Sequence, residues 1–86
     1  MKLDEMICML ERNNALGMFV YDPAKRRVDR VIYLESTCRL RYWFFNEHGD
    51  VVSTKYVNAP NGEMDLLNVY ANEITNHGIE CVAWCG

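Results

Sequence analysis

Cysteine is the residue of this chain with the widest range of possible chemistry, and two of the four cysteines lie close together. Cys81 and Cys85 are separated by three residues. Zinc ribbons and redox dithiols place two residues between their cysteines, because that spacing lets both sulfurs converge within one turn. On an extended strand, positions 81 and 85 lie about 13 Å apart. The spacing therefore favours structural thiols, and we predict no metal site and no cofactor.

His48 and His77 are the side chains whose unperturbed titration falls near neutral pH. His48 lies in a predicted loop. His77 ends a predicted helix, where the helix dipole favours a cation. Neither has a nucleophile beside it, and no sequence motif of serine hydrolases, zinc proteases or nucleotide-binding loops is present. We therefore predict no catalytic residues, with a small cysteine- or histidine-based enzyme kept as an alternative.

The length and composition predict one small folded domain over residues 1–86. Half of the 86 residues are hydrophobic, 24% are charged and two are proline, which excludes disordered and collagen-like classes. No apolar run approaches the roughly 18 residues of a membrane span, so we expect no membrane partner. Acidic Asp4 and Glu5 stand where an export signal needs apolar residues. With four cysteines taken as free thiols, we expect a reducing, cytoplasmic location.

Hydrophobic periodicity predicts two helices and five strands. Helical spacing of apolar residues indicates helices over 2–13 and 62–77. Segments rich in Val, Ile, Tyr, Phe and Trp indicate strands over 16–21, 27–34, 38–45 and 51–57, and an apolar segment over 79–84 indicates a final short strand. The connections are too short for crossover helices. The prediction is an α+β fold of order αββββαβ: an antiparallel four-stranded meander flanked by an N-terminal and a C-terminal helix.

The second helix is expected to bury one apolar stripe against the sheet. Met64, Leu67, Ala71 and Ile74 recur at helical spacing and form that expected stripe.

Alternation along the third strand separates two sheet faces. Cys38, Leu40, Tyr42 and Phe44 form a uniformly apolar row that should face the helices. Closing the 46–50 loop as a hairpin predicts the inward pairs Phe44–Val52, Tyr42–Thr54 and Leu40–Tyr56, and the outward pairs Trp43–Ser53 and Arg41–Lys55. The last pair places two cations opposite each other, which is unfavourable. An anion should therefore lie nearby, either Glu35 or an acid or phosphate of a bound partner.

The outward face is the predicted partner-binding surface. Its aromatic and cationic residues are Tyr33, Arg39, Arg41, Trp43, Phe45 and Lys55, with Phe19 and Tyr21 on the first strand. If both helices cover the inner face, this surface stays open, and such patches usually mark interaction sites. The alternative is that the helices divide between the two faces, which would turn this surface into a second core.

These observations predict a non-catalytic protein-binding module: an inhibitor, an adaptor or a small regulatory subunit. The expected partner is another protein or a second copy of the chain in a homodimer. The alternative is a single-stranded nucleic-acid-binding protein in which bases stack on the rings and arginines bind phosphates. The net charge of −3 weighs against a nucleic-acid partner.

Overall fold

The computed structural model of the chain describes residues 1–85 and confirms the predicted αββββαβ order. Its elements are α1 (Leu3–Arg12), β1 (Gly17–Asp22), β2 (Arg27–Ser36), β3 (Arg39–Phe45), β4 (Val51–Asn58), α2 (Glu63–His77), one turn of 3₁₀ helix (Ile79–Cys81) and β5 (Val82–Cys85). None of the helices in this described part of the chain is long and apolar enough to cross a membrane.

The strands form one antiparallel sheet of five strands in the order β4-β3-β2-β1-β5. The first four strands are the expected meander. β5 returns to pair with β1, where Val82 lies opposite Val20. The final strand is shorter than predicted, because residues 79–81 form a 3₁₀ turn that contains the buried Cys81. β4 and β5 are the two edges of the sheet.

The two helices lie on opposite faces of the sheet. Leu66 of α2 packs with Met18 and Ile32 in one core, whereas Met6 of α1 packs with Val31 in a second core. Positions 31 and 32 of β2 point to opposite faces, since side chains alternate along a strand. The expectation that both helices share one face is therefore wrong, and the alternative of divided helices is confirmed.

The buried side of α2 also differs from the expected stripe. Leu66 is fully buried and Glu73 is nearly so, while Met64 and Leu67 are 62% and 46% exposed. Ala71 is exposed as well, and Ile74 is partly buried. The helix is thus rotated by about a third of a turn relative to the prediction, with Leu66, Val69 and Tyr70 towards the sheet.

The register between β3 and β4 is offset by one residue from the predicted hairpin. Phe45 lies opposite Val51, but Phe44 lies opposite Ser53, so a bulge at Val52 interrupts the pairing. Arg41 consequently faces Tyr56, and Lys55 faces Tyr42 on the other face of the sheet. The expected like-charge pair of Arg41 and Lys55 does not form.

The loop between β3 and β4 holds the start of α1 in place. The backbone N–H of Leu3 donates to the carbonyl of Gly49 at 2.8 Å. Lys2 Nζ lies 2.8 Å from Asp50 Oδ1, and this hydrogen bond lowers the pKa of the Asp50 carboxyl. These contacts fix the helix over the end of β3 that carries Phe45, and they leave the opposite end of β3 outside its reach.

Candidate functional site

The part of the sheet that neither helix covers is the middle of β4 together with the adjoining residues of β3. Six of the eight residues of β4 are exposed, among them Val52 at 61% and Tyr56 at 49%. β4 also has a strand neighbour on one side alone, because it is the edge of the sheet. Its backbone therefore presents peptide groups that can bond to a further strand. We call the uncovered residues on the α1 side the β3–β4 surface: Glu35, Arg39, Arg41, Trp43, Thr54 and Tyr56.

Arginine and aromatic side chains alternate across the β3–β4 surface. The Arg41 guanidinium carbon lies 4.3 Å from the centroid of the Trp43 ring and 4.8 Å from that of Tyr56. Arg39 stacks on Tyr56 at 4.3 Å. These distances are within the range of cation–π attraction. The four side chains form one continuous layer and hold each other in defined positions.

Glu35 ties both arginines to the end of β2. Its Oε1 accepts a hydrogen bond from Arg39 Nη2 at 2.9 Å, and its Oε2 accepts one from Arg41 Nη1 at 3.0 Å. Burial by itself lowers the pKa of Arg41, but the hydrogen bond to Glu35 and the charges of Tyr56, Tyr33 and Glu35 together outweigh burial, so the pKa of Arg41 is raised. The anion predicted beside these cations was either Glu35 or an acid or phosphate of a bound partner, and the structure places Glu35 there. Two cations share one carboxylate, so the surface keeps a net positive charge.

The structure does not bring all six predicted binding residues together. Tyr33 and Phe45 are 7% and 3% exposed, because the α1-side core includes them. Lys55 lies on the opposite face, with Nζ 4.7 Å from the centre of the Tyr42 ring. Arg39, Arg41 and Trp43 remain together on the β3–β4 surface.

Trp43 stands at the boundary between this surface and the core under α1. It is partly buried and packs against that core, and its indole Nε1 has no hydrogen-bond acceptor among the described residues. One part of the ring therefore stabilises the fold while Arg41 covers another part.

Thr54 and Tyr56 are the surface residues that sequence reasoning missed. The predicted register placed both on the inner face, and the bulge at Val52 moves them to the outer one. Thr54 Oγ1 accepts from Arg41 Nε at 3.2 Å and donates to the carbonyl of Tyr42 at 2.9 Å. The like charges of the predicted Arg41–Lys55 pair were the available signal, because a one-residue shift separates them.

The buried charged side chains outside this surface are engaged in structural contacts. Glu73, buried under α2, accepts from Arg30 Nη1 at 3.3 Å and lies 3.2 Å from His77 Nε2. Burial, with a contribution from the Glu73 charge, raises the pKa of Tyr42 beside it. Over residues 1–85, no three His, Cys, Asp or Glu side chains are placed to hold a metal ion.

A cleft of about 520 Å³ lies between the start of α1 and the β3–β4 loop. Its polar side chains bond to the protein itself: Arg27 Nη1 donates to the carbonyl of Phe45 at 2.7 Å, and Lys2 Nζ donates to that of His48 at 3.2 Å. Nothing in its lining pairs a nucleophile with a base.

No protein-family model, curated protein or solved structure matches this chain.

Proposed function

We propose that this chain is a non-catalytic protein-binding module that accepts an extended segment of another protein along β4. The observation that carries the proposal is the exposure of β4, which lies at the sheet edge with six of its eight residues exposed. A further strand can pair with such an edge through main-chain hydrogen bonds, and side chains beside the edge then supply specificity. Inhibitors, adaptors and small regulatory subunits act in this way.

Charge indicates the chemistry of the partner. The β3–β4 end of the sheet carries Arg39, Arg41 and Lys55 against Glu35, whereas the whole chain has a net charge of −3. An extended segment with acidic side chains complements this local positive charge and speeds the encounter. Two-fold pairing of β4 with a second copy would instead bring the cations of both copies to one junction. The charge therefore favours a different protein at this edge.

The stacking geometry weighs against single-stranded nucleic acid. Nucleic-acid bases bind such proteins by stacking on open aromatic faces. Here Arg41 covers the Trp43 ring and both arginines stack on Tyr56. The arginines would have to leave their rings and Glu35 before bases could take their place.

The thiols accord with a reducing, cytoplasmic setting for this interaction. All four cysteines lie among the described residues and all are free, with Cys8 and Cys38 exposed. Exposed free thiols persist in compartments that keep cysteine reduced.

Photo-cross-linking in the native cell tests the proposed function. Tyr56 is replaced by p-benzoylphenylalanine, and Tyr21, which is 40% exposed on β1, receives the same group as the matched control. We expect a discrete protein adduct from position 56 that is absent from position 21. Combining the probe at position 56 with Arg41→Glu should reduce the adduct at least about tenfold, because the substitution reverses the complementary charge.

Three results would contradict the proposal. One is equal adduct yield from the two positions, and another is an adduct whose yield Arg41→Glu leaves unchanged. The third is an adduct that nuclease removes, which would reassign the surface to nucleic acid.

A further inference from the structure

The outer face of α2 is the second exposed apolar surface of the molecule. Met64, Leu67 and Ala71 are exposed on the solvent side of α2, and Ile74, which is partly buried and packs against the core that contains Leu66, lies at the margin of the same row; we call these four residues the α2 stripe. Met64 and Leu67 are 62% and 46% exposed. An amphipathic surface helix normally presents polar and charged residues on this side. α2 is instead apolar both towards the sheet and towards solvent.

The surroundings of the stripe carry no charge over most of the helix. Between Asp65 and Glu73 the sequence of α2 has no ionisable side chain except that of Tyr70, and its exposed polar residues there are Asn68 and Asn72. Glu73 itself points towards the sheet, where it is 8% exposed. Apart from Glu63, which is exposed beside Met64, a partner can therefore cover the stripe without desolvating a charged side chain of α2, and depletion of charge is typical of interface centres.

We propose that a second copy of this chain docks on the α2 stripe, with the two α2 helices antiparallel about a two-fold axis. The proposal goes beyond the proposed function, since it concerns a different surface and a different partner.

The spacing of the stripe is self-complementary in an antiparallel pair. The intervals between positions 64, 67, 71 and 74 are three, four and three, which are symmetric about position 69. A two-fold axis at that level places Leu67 opposite Ala71 of the second copy, and Met64 opposite Ile74. A large side chain then meets a small one, so the helices can approach closely and interdigitate. In a parallel pair of helices, by contrast, Leu67 would lie against Leu67 and Ala71 against Ala71.

The area available indicates a weak dimer. A helix of 15 residues is about 22 Å long and about 10 Å wide. Trp84 extends the apolar surface, because it is 38% exposed and its ring contacts Tyr70 of α2 edge-on, with centroids 5.1 Å apart. Interfaces of this size belong to the small class that supports transient association. We expect a monomer–dimer equilibrium in the micromolar range.

Sedimentation equilibrium of the purified full chain, over concentrations from about 1 to 300 μM that bracket a weak equilibrium, tests the proposal. Leu67→Glu should raise the dimer dissociation constant at least about tenfold, because it places a charge in the desolvated centre of the contact. Asn72→Glu is the matched control, since it adds the same charge to the same helix outside the stripe, and it should leave the dissociation constant within about twofold. Circular dichroism confirms that both variants fold.

A charge pair tests the antiparallel register. Ala71→Lys should also dissociate the homodimer. An equimolar mixture of the Leu67→Glu and Ala71→Lys proteins should recover a dimer, because Glu at position 67 of one chain then faces Lys at position 71 of the other while Ala71 and Leu67 meet at the second contact.

Three results would overturn the proposal. The first is a wild type that stays monomeric throughout the concentration range, and the second is an equal effect of Leu67→Glu and Asn72→Glu on the dissociation constant. The third is a mixture of Leu67→Glu and Ala71→Lys that stays monomeric. Leu67→Glu should leave the cross-link from position 56 unchanged, so this proposal and the proposed function can fail separately.

Discussion

Arg41 contacts more residues of the β3–β4 surface than any other side chain of that surface does. Its guanidinium donates to Glu35 and to Thr54 and stacks on Trp43 and Tyr56. A planar group with several donors can bond in its plane and stack with its faces at the same time. Lysine would keep the charge at this position and lose that combination. The order of the surface therefore depends on the shape of this residue as well as on its charge.

The four thiols differ in exposure, and their reactivity should follow. Cys8 and Cys38 are exposed and should react first with a thiol reagent at pH 8. Cys85 should react more slowly, because burial and the nearby Glu11 charge raise its pKa and so lower its thiolate fraction. Cys81 is 9% exposed and should react only when the protein unfolds. Mass spectrometry of timed labelling in the native state measures this order.

The single variants Cys8→Ser and Cys85→Ser serve as the controls, because each removes one labelled cysteine and so identifies the step of labelling that belongs to it. Early labelling of Cys81 in the folded protein would contradict its place in the core, and a native disulfide between Cys81 and Cys85 would contradict the C-terminal strand.

At the scale of elements, α2 is a helix with two apolar sides. Leu66, Val69 and Tyr70 lie towards the sheet, and Met64, Leu67 and Ala71 lie towards solvent. Both sets recur at helical spacing, so periodicity alone cannot distinguish the buried side from the exposed one. The start of α2 helps to set which side of the helix is buried. A Cβ on Gly62 would lie 2.8 Å from the carbonyl oxygen of Thr37, so the chain passes closely under the β2–β3 turn.

Leu66 and Leu67 are adjacent leucines that should behave differently. Leu66→Ala should lower the free energy of unfolding by about 2–5 kcal/mol, the usual loss for a buried leucine and the cavity it leaves. Leu67→Ala should lower it by less than about 1 kcal/mol, as at exposed positions. Urea unfolding at submicromolar concentration, below the dimer dissociation constant expected above, gives both values for the monomer. Similar losses from the two substitutions would show that the helix is oriented otherwise.

Much of the fold could be predicted from the sequence because local signals determine it. Turn residues such as Asp22-Pro23 and Gly49, together with hydrophobic spacing, gave the order and approximate bounds of the elements. Alternation predicted which face of the sheet each side chain lies on only as far as the bulge at Val52. A bulge adds one residue to one strand, and every later residue of β4 changes face.

The β3–β4 surface was less predictable because it depends on where α1 packs. The link between α1 and β1 is short, yet nothing in its sequence states which face of the sheet the helix will cover. The contacts that hold α1 on its face include those with the distant β3–β4 loop, through Gly49 and Asp50, and the burial of Met6 and Leu10. Phe45 and Tyr33 were therefore expected on an open surface and lie in a core, while Tyr56 was expected inside and is half exposed.

At the scale of the whole molecule, one sheet separates two small cores. β1, β2 and β3 contribute alternate residues to each, with Met18, Ile32 and Leu40 on the α2 side and Val31 and Phe45 on the α1 side. Loss of either core would expose one face of the same strands. We therefore expect the two cores to unfold together, as a single domain.

The two tryptophans allow this coupling to be measured, because Trp43 lies on the α1 side and Trp84 contacts Tyr70 of α2. Trp43→Phe leaves Trp84 as the sole tryptophan, and it breaks no hydrogen bond, since the indole Nε1 has no acceptor among residues 1–85. Trp84→Phe leaves Trp43. In each variant, fluorescence should give the same urea midpoint as circular dichroism.

A fluorescence midpoint that differs from the circular dichroism midpoint of the same variant would show that the two sides of the sheet unfold independently. Comparison within one variant removes the effect of the substitution itself on stability.

The pairing of β5 with β1 also affects how the protein folds as it is synthesised. Cys85 Sγ lies 3.8 Å from the carbonyl of Ala15, across 70 residues of sequence. At about 5–20 residues per second, β1 waits several seconds on the ribosome before its last neighbour is made. During that interval the fully buried Met18 and Val20 belong to an unprotected sheet edge that other nascent chains can join. Chaperone occupancy of the nascent chain should therefore persist until residues 82–85 leave the exit tunnel.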